Sequence, residues 1–259
     1  MIRRELSARD GAPAAWVIIS QIEHARLAGQ LAEHWGANGF AAIEPRDPLL
    51  WAIQHHDDGW LEWDEHPGVD PANGLPRQFT EMEPADTHAI WTRSIDAAAE
   101  RGPLEGYLVA SHFCRLGRRG TADGEDNPVL RPFLEFLDDY EQRAREWLAR
   151  WEATSPETNT VETALRALEQ LQFFDTFSLW FCCSESNERE VVETPSGTDL
   201  TIDPVSPSNI RLSPWPMEVE TLELDAAGLL IPAAHYPSRE ALASASSQAI
   251  QLRWKLTPR

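Results

Sequence analysis

Residues 171–183 (LQFFDTFSLWFCC) form the most apolar stretch of the chain, and they carry a single carboxylate, Asp175. A helix that is apolar all round is a buried helix. An unpaired carboxylate in such a place is so unfavourable that the group would sooner take up a proton. The sequence therefore predicts a partner for Asp175, which is a cation, a dense set of hydrogen bonds or a metal ion.

Histidines on the inward faces of four other predicted helices are the candidate partners. Ser20 and Glu23 form a capping-box signature that begins the first of these helices, and His24 lies on its apolar stripe. His88 and His112 also lie on the apolar stripes of their own helices. One such histidine is more often a structural core residue than a ligand. Four of them in register favour a shared site.

The fourth histidine belongs to the run His55, His56, Asp57, Asp58. Register with the apolar Ile53 places His56 and Asp57 on the inward face of their helix. The pairs His55 with Asp57, and His56 with Asp58, remain alternatives. Imidazole and carboxylate groups are the usual ligands of divalent iron, manganese, zinc and cobalt. The doublet therefore indicates a metal site.

The order His24, His56 with Asp57, and Asp175, each on its own predicted helix, resembles the HD-domain superfamily of metal-dependent phosphohydrolases. The resemblance spans residues 17–185 and implies that these four residues bind one metal ion. The chain as a whole is also similar to a bacterial family of unknown function that is built on this domain.

A second ion is also implied by the resemblance. His88 and His112 lie between the doublet and Asp175, where superfamily members with two metals place their additional histidines. The implied centre is dinuclear, with Asp57 as the bridging ligand. The expected cofactors are two divalent metal ions, such as iron, manganese or zinc.

The resemblance implies a hydrolase that acts on a phosphate ester through the metals. Arg115 and Arg118, which follow His112 in a basic run, are the candidate substrate-binding residues because guanidinium groups bind phosphate and carboxylate in bidentate fashion. Asp58, next to the doublet, is the candidate catalytic general base. The expected substrate is a small anionic molecule.

Two other functions agree with the same residues. Some superfamily members with six ligands hold two irons and use dioxygen to cleave carbon bonds, which implies an oxygenase acting on a small organic acid or phosphonate. A metal-stabilised sensor or scaffold protein, whose C-terminal part contacts a partner, is the third interpretation. The ligand pattern is common to all three.

The expected fold is mostly α, an HD-type helical bundle with a small C-terminal β-rich appendage. Residues 1–19 are predicted to form one or two short strands, and residues 20–187 the all-α metal-binding domain. Residues 188–259, where prolines and β-type runs are frequent, form the predicted appendage, with pairing to the N-terminal strand as a further expectation. Within it, residues 225–228 (DAAG) are predicted to form a turn between two strands.

The chain has 42 acidic and 22 basic residues, a net charge of -20. Binding to nucleic acid or to an anionic membrane is not expected, since both require a basic face. No early segment is long and apolar enough for a signal peptide or a membrane span. The three cysteines lack zinc-ligand spacing and are expected to be buried and reduced. We therefore expect a cytoplasmic protein, and its oligomeric state is left open.

Overall fold

In the computed structural model of the protein, residues 1–6, 14–121, 128–183 and 188–259 are described. About 51 % of the chain is helical, and about 22 % lies in strands of a curled seven-stranded sheet. The fold is therefore mixed α/β. The prediction of a mostly α protein with a small appendage, and of an all-α character, was wrong because the sheet is a major part of the structure.

The helices occupy most of the chain between the two groups of strands. The predicted N-cap of the first helix is confirmed, since the side chain of Ser20 accepts a hydrogen bond of 3.0 Å from the backbone N–H of Glu23. Short 3-10 turns occur at Asp58–Trp60 and Phe79–Glu81. The α-helices of the described residues are α1 (Gln21–Glu33), α2 (Arg46–His55), α3 (Leu61–Glu65), α4 (Pro84–Arg101), α5 (Pro103–Thr121), α6 (Arg131–Thr154), α7 (Val161–Cys183) and α8 (Arg239–Ala243).

The sheet combines strands from both ends of the chain. Its strands are β1 (Ile2–Leu6), β2 (Ala15–Ile19), β3 (Glu190–Glu193), β4 (Asp199–Ser206), β5 (Asn209–Ser213), β6 (Leu222–Pro232) and β7 (Gln248–Pro258). They lie in the order β1-β2-β6-β7-β5-β4-β3, and every pair is antiparallel except β5 with β7. Strand β6 pairs with β2 on one side and with β7 on the other, so the N-terminal strands and the C-terminal strands form one sheet.

The turn predicted around Asp225 and Gly228 is absent from the described structure, because both residues lie inside the continuous strand β6. The backbone carbonyl of Asp225 accepts hydrogen bonds from Arg26 (2.8 Å) and Gln30 (2.9 Å) of α1. At Gly228 the neighbouring strand comes close, and a Cβ there would lie 3.2 Å from the carbonyl oxygen of Ile18. Turn-forming residues are therefore used here for contacts with α1 and β2.

Two of the helices that carry predicted ligands, α1 and α7, pack against strands of this sheet. Helix α1 packs against α2, α7 and β6, and α7 packs against α1, α5 and β1. Most buried apolar residues of these elements belong to one continuous core, while Ile231 of β6 belongs to a smaller second cluster. None of the described helices has both the length and the apolar character needed to cross a membrane.

Candidate metal centre

The side chain of His24 is held at both nitrogens by residues of α7. Its Nε2 lies 2.9 Å from Oδ1 of Asp175, and its Nδ1 lies 2.9 Å from the hydroxyl oxygen of Ser178. The hydroxyl of Ser178 donates its hydrogen to the backbone carbonyl of Asp175 (2.9 Å). The Ser178 oxygen therefore accepts the Nδ1–H of His24. In the neutral imidazole, this arrangement directs the lone pair of Nε2 towards the Asp175 carboxylate.

His56 follows the last residue of α2 and is fully buried. Its Nδ1 lies 2.9 Å from the carbonyl oxygen of Ile53, which only accepts hydrogen bonds, so Nδ1 carries a hydrogen. Its Nε2 is buried without a hydrogen-bond partner among the described residues. This nitrogen lies 3.4 Å from Oδ2 of Asp57 and 3.6 Å from Oδ1 of Asp175. In its neutral form, His56 would thus turn a lone pair towards two carboxylates.

Close packing against α4 positions the segment that carries the doublet. The backbone N–H of Gly59 donates a hydrogen bond of 3.0 Å to the hydroxyl of Ser94. A Cβ at position 59 would overlap the carbonyl oxygen of Ile90, so only glycine allows this approach. On the other side, Nε2 of Gln21 lies 3.4 Å from Oδ2 of Asp57. These contacts keep Asp57 directed into the protein.

The ionisation of the buried acids depends on the histidines around them. Burial alone would raise the pKa of Asp175, but without a metal ion the protonated forms of His24 and His56 donate hydrogen bonds to it and hold its pKa well below the ordinary value. Burial raises the pKa of Asp57 against the opposing charges of His56 and His24. The pKa of His56 would be lowered by burial, but the charges of Asp57 and Asp175 raise it to about 9. The two buried carboxylates therefore require a positive charge beside them, which a protonated histidine or a metal ion can supply.

The separations between the ligand atoms of His24, His56 and Asp175 fit one shared ion, and Asp57 lies beside the two histidines. Two ligand atoms, each ~2.1 Å from a metal, are roughly 3 Å apart at a right angle and roughly 4.2 Å apart when opposite. His24 Nε2 lies 2.9 Å from Asp175 Oδ1 and 3.9 Å from Asp57 Oδ2. The two contacts of His56, at 3.4 and 3.6 Å, fall in the same range. One ligand atom from each of His24, His56 and Asp175 lies within 4.8 Å of the others.

His112 of α5 borders the same cluster. Its Nε2 is 3.8 Å from Oδ2 of Asp175, and its ring packs edge-on against His56 with the centroids 5.3 Å apart. Burial lowers the pKa of His112 to about 3, so the imidazole is neutral. Its Nδ1 is buried without a hydrogen-bond partner in the described part of the chain. The structure therefore brings together five of the six predicted ligands.

His88, the sixth predicted ligand, has its ring contacts elsewhere. Its ring stacks nearly parallel on Phe133 and Phe136 of α6, with centroid distances of 5.2 and 4.6 Å. None of the ion pairs found within the described residues joins His88 to Asp57 or Asp175. His88 therefore occupies an aromatic packing position, while its Nε2 is buried without a hydrogen-bond partner among the described residues, so its role as a ligand stays a prediction.

The predicted catalytic and substrate-binding residues lie around the cluster. Asp58 accepts a hydrogen bond of 2.9 Å from Nδ1 of His55, and both side chains are partly exposed. Arg115 donates a hydrogen bond of 3.0 Å to Oε1 of Gln172. Arg118 forms ion pairs with acidic residues of α6, so its charge is already neutralised. Of the two arginines, Arg115 therefore has the freer charge.

Ser178 and Gln21 support the cluster, but the sequence analysis did not identify them. Ser178 stands three residues after Asp175 in an otherwise apolar helix, so its hydroxyl was a detectable signal of a buried hydrogen bond. Gln21 directly follows the N-cap Ser20 and is also buried. Its role depends on the neighbouring Asp57 and could not be inferred from its own position.

Comparison with known proteins places the chain in one family. Neither the curated proteins nor the solved structures contain a match. A family model described as "Protein of unknown function (DUF3891)" matches residues 6–233. The match includes the helices that carry the histidine and aspartate cluster, as well as the strand β6 that joins the two ends of the sheet. Because it covers most of the sequence, the chain belongs to the DUF3891 family.

Proposed function

We propose that the protein is a metal-dependent hydrolase whose ion is held by His24, His56, Asp57 and Asp175. The proposed substrate is a small anionic molecule of the phosphate-ester class, in line with the resemblance to the HD-domain superfamily. The observation that carries the proposal is the unpartnered Nε2 of His56, which is buried and faces two carboxylates.

A proton on this nitrogen of His56 would be a poor substitute for a metal ion. Hydrogen bonds between nitrogen and oxygen are normally shorter than about 3.2 Å, and both carboxylate oxygens lie beyond that limit at 3.4 and 3.6 Å. A metal ion could instead bind this nitrogen together with Asp175 and His24, whose ligand atoms all lie within 4.8 Å of one another. The spacing therefore favours metal binding over protonation.

The residues of the cluster have distinct roles in this proposal. A bound divalent ion would lower the pKa of a water molecule and neutralise negative charge on a phosphate group. Ser178 and the Ile53 carbonyl hold the two imidazoles in the tautomers that direct Nε2 inwards. Gln21 steadies the carboxylate of Asp57. His112 lies 3.8 Å from Asp175, and its low pKa keeps it neutral, so it offers a lone pair at the edge of the cluster and is a poor proton acceptor.

The two other interpretations make different demands on the structure. A six-ligand di-iron oxygenase would use His88 together with His112, and the ring of His88 instead stacks on aromatic residues of α6. A sensor or scaffold would need only the metal and a contact surface. The proposed hydrolase needs no contribution from His88, in agreement with the arrangement of the side chains, and we therefore prefer it.

We also propose that the protein acts in the cytoplasm. Its cysteines, Cys114, Cys182 and Cys183, are all free thiols, and reduced thiols are typical of that compartment. The net charge of -20 disfavours nucleic acid and anionic membranes as partners and favours cations and small molecules.

The test begins with protein purified without chelator, in which metal identity and content are measured by elemental analysis. Metal-free protein is then reloaded separately with manganese, zinc or iron(II). Each form is assayed with p-nitrophenyl phosphate and bis(p-nitrophenyl) phosphate. We expect metal in the purified protein and metal-dependent release of nitrophenol.

A pair of histidine variants makes the test specific. His56→Ala removes the central ligand and should abolish both metal binding and hydrolysis, whereas His66→Ala, at an exposed position, should change neither. Metal-loaded protein that cleaves neither ester would contradict the hydrolase proposal. Dioxygen consumption by the iron form, only in the presence of an organic acid or phosphonate, would support the oxygenase instead.

A further inference from the structure

A basic groove lies between α5, α6 and α7, beside the candidate metal centre. Its volume is about 660 Å³, which is in the size range of pockets for small-molecule ligands. Four arginines line it, together with a single acidic residue, Glu141. The arginines are Arg115, Arg118 and Arg119 of α5 and Arg145 of α6. Such a concentration of positive charge is unusual in a chain with a net charge of -20.

Most of this positive charge is not neutralised within the protein. Arg118 is the exception, since it forms ion pairs with Glu141 and Asp138. The other three arginines donate hydrogen bonds to neutral acceptors, and no ion pair between them and an acidic residue occurs in the described ranges. Those bonds run from Arg115 to Gln172 (3.0 Å), from Arg119 to the Arg115 carbonyl (3.3 Å) and from Arg145 to Gln142 (2.9 Å). The guanidinium groups are held in place with their charge available.

Neutral donors complete the lining of the groove. Nε2 of Gln172 is buried and has no hydrogen-bond partner among the described residues, while its Oε1 is occupied by Arg115. Burial raises the pKa of Tyr107, so its hydroxyl is a protonated donor at neutral pH. Ser111 contributes a second hydroxyl. A ligand with several acceptor oxygens would satisfy this set of donors.

Helix electrostatics explains only part of the arrangement. Arg118 and Arg119 lie in the last turn of α5, where positive charge interacts favourably with the helix dipole. Arg145 belongs to the middle of α6, and Gln172 to the middle of α7, so the dipole of α5 does not account for them. Convergence from three helices indicates a binding site.

We propose that this groove binds a small polyanion that carries at least two negatively charged groups, of the phosphate or carboxylate type. Arginine forms bidentate hydrogen bonds with both groups, so the chemistry they share is what the groove recognises. Arg115, Arg119 and Arg145 hold the charged groups, and Gln172 donates to a remaining oxygen.

The groove adjoins the metal cluster through two helices. Arg115 and Arg119 stand three and seven residues after His112, on the same face of α5. Burial is the main cause of the low pKa of His112, and the charges of His56 and Arg119 lower it further. Gln172 precedes Asp175 by one turn of α7. The identification of this polyanion as the substrate rests on the proposed function. Its binding to the groove is independent of that function.

Isothermal titration of metal-free protein with pyrophosphate, and separately with citrate, tests the proposal at constant ionic strength. We expect saturable binding of one molecule per chain. Arg119→Gln and Arg145→Gln should each weaken it roughly tenfold, as expected for loss of a charge-assisted hydrogen bond. Arg150→Gln is the matched control, because it makes the same charge change at an exposed site of α6 outside the groove.

Each outcome has a defined meaning. Stronger binding of pyrophosphate supports a phosphorylated ligand, and stronger binding of citrate supports a polycarboxylate. Absence of saturable binding, or an equal loss in Arg150→Gln, would overturn the proposed groove. Because the protein is metal-free in these titrations, polyanion binding without metal-dependent hydrolysis would refute the proposed function alone. Hydrolysis without polyanion binding would refute the groove alone.

Discussion

His24 contacts Asp175 at both of its ring nitrogens, directly through Nε2 and through the hydroxyl of Ser178 at Nδ1. Every step of this closed path is 2.9 Å long. The same aspartate therefore supplies a carboxylate to the site and a backbone carbonyl that orients the histidine. Helices α1 and α7 present their donor atoms as one unit.

Replacement of Ser178 by alanine should weaken metal binding while leaving the fold intact. The Nδ1–H of His24 would lose its acceptor, and partners of this kind typically change metal affinity by roughly 10- to 100-fold. Competition with a fluorescent chelator measures the effect. Thr176→Ala, which removes an exposed hydroxyl of the same helix, is the control. Equal metal affinities of the two variants would show that the hydrogen bond between Ser178 and His24 does not contribute to metal binding.

Metal content per chain should depend on His56 and be independent of His88. His56 faces the two carboxylates, whereas His88 stacks on Phe133 and Phe136. Elemental analysis of loaded protein should therefore find the full content in His88→Ala and a large loss in His56→Ala. A content of two ions that falls to one in His88→Ala would support the dinuclear centre instead.

Removal of the metal should lower the melting temperature. Asp57 and Asp175 are buried close together, and an ion that binds only the folded state stabilises it by mass action. For a chain of this length we expect EDTA treatment to lower Tm by roughly 5 °C or more. Calorimetry before and after chelation measures the change. The Tm of His56→Ala should respond little to EDTA, and an equal response would point to a different ion site.

Gly59→Ala should strongly destabilise the protein. The new Cβ would overlap the carbonyl oxygen of Ile90, and neither α4 nor the doublet segment can move without breaking the bond to Ser94. We expect a loss of more than about 2 kcal/mol in the free energy of unfolding. Gly120→Ala is the control, since no atom lies within 4 Å of its Cβ position. Similar urea midpoints for the two variants would contradict this view of the α4 contact.

His88 should make the protein less stable in mild acid. Burial lowers its pKa below the ordinary value of 6.5. As pH falls through 6.5, the unfolded chain takes up a proton that folded His88 still excludes, so its stabilising contribution is present above this pH and is lost below it. His88→Gln should therefore lose less stability than the wild type between about pH 7.5 and about pH 5.5. A difference in Tm that does not vary with pH would argue against this explanation, and exposed His66→Gln is the control.

Much of the candidate site followed from local sequence signals. The cap at Ser20 set the start of α1, and the register with Ile53 selected His56 from a run of four polar residues. The lone acid in the apolar stretch of α7 identified Asp175. Each of these signals acts within one helix, where spacing along the chain determines which side chains face inwards.

His88 shows the limit of the same argument. An apolar stripe tells which face of a helix is buried but not which neighbour covers it. The stripe of α4 that contains His88 and Trp91 packs against phenylalanines of α5 and α6. The packing order of helices depends on contacts between distant parts of the chain, which no local pattern records.

The sheet was underestimated for a similar reason. Individual strand segments were visible, and the expected pairing between the N-terminal and C-terminal regions is confirmed by β2 and β6. The parallel pairing of β5 with β7 is non-local and was not predicted. Turn-type residues in β6 also concealed a continuous strand, because the hydrogen bonds that stabilise them come from α1. The residues of α1 that form these bonds, Arg26 and Gln30, lie 199 and 195 positions before Asp225.

The hydrogen bond between Arg26 and the carbonyl of Asp225 spans 199 residues, and it connects the helix that carries His24 to a strand that is synthesised much later than that helix. During translation, α1 emerges from the ribosome long before β6 exists to receive it. Contacts of such high sequence separation form late, since the chain must first close a very long loop. The position of α1, and with it that of His24, is therefore fixed only after β6 has been synthesised, and we expect the candidate metal centre to form late in folding.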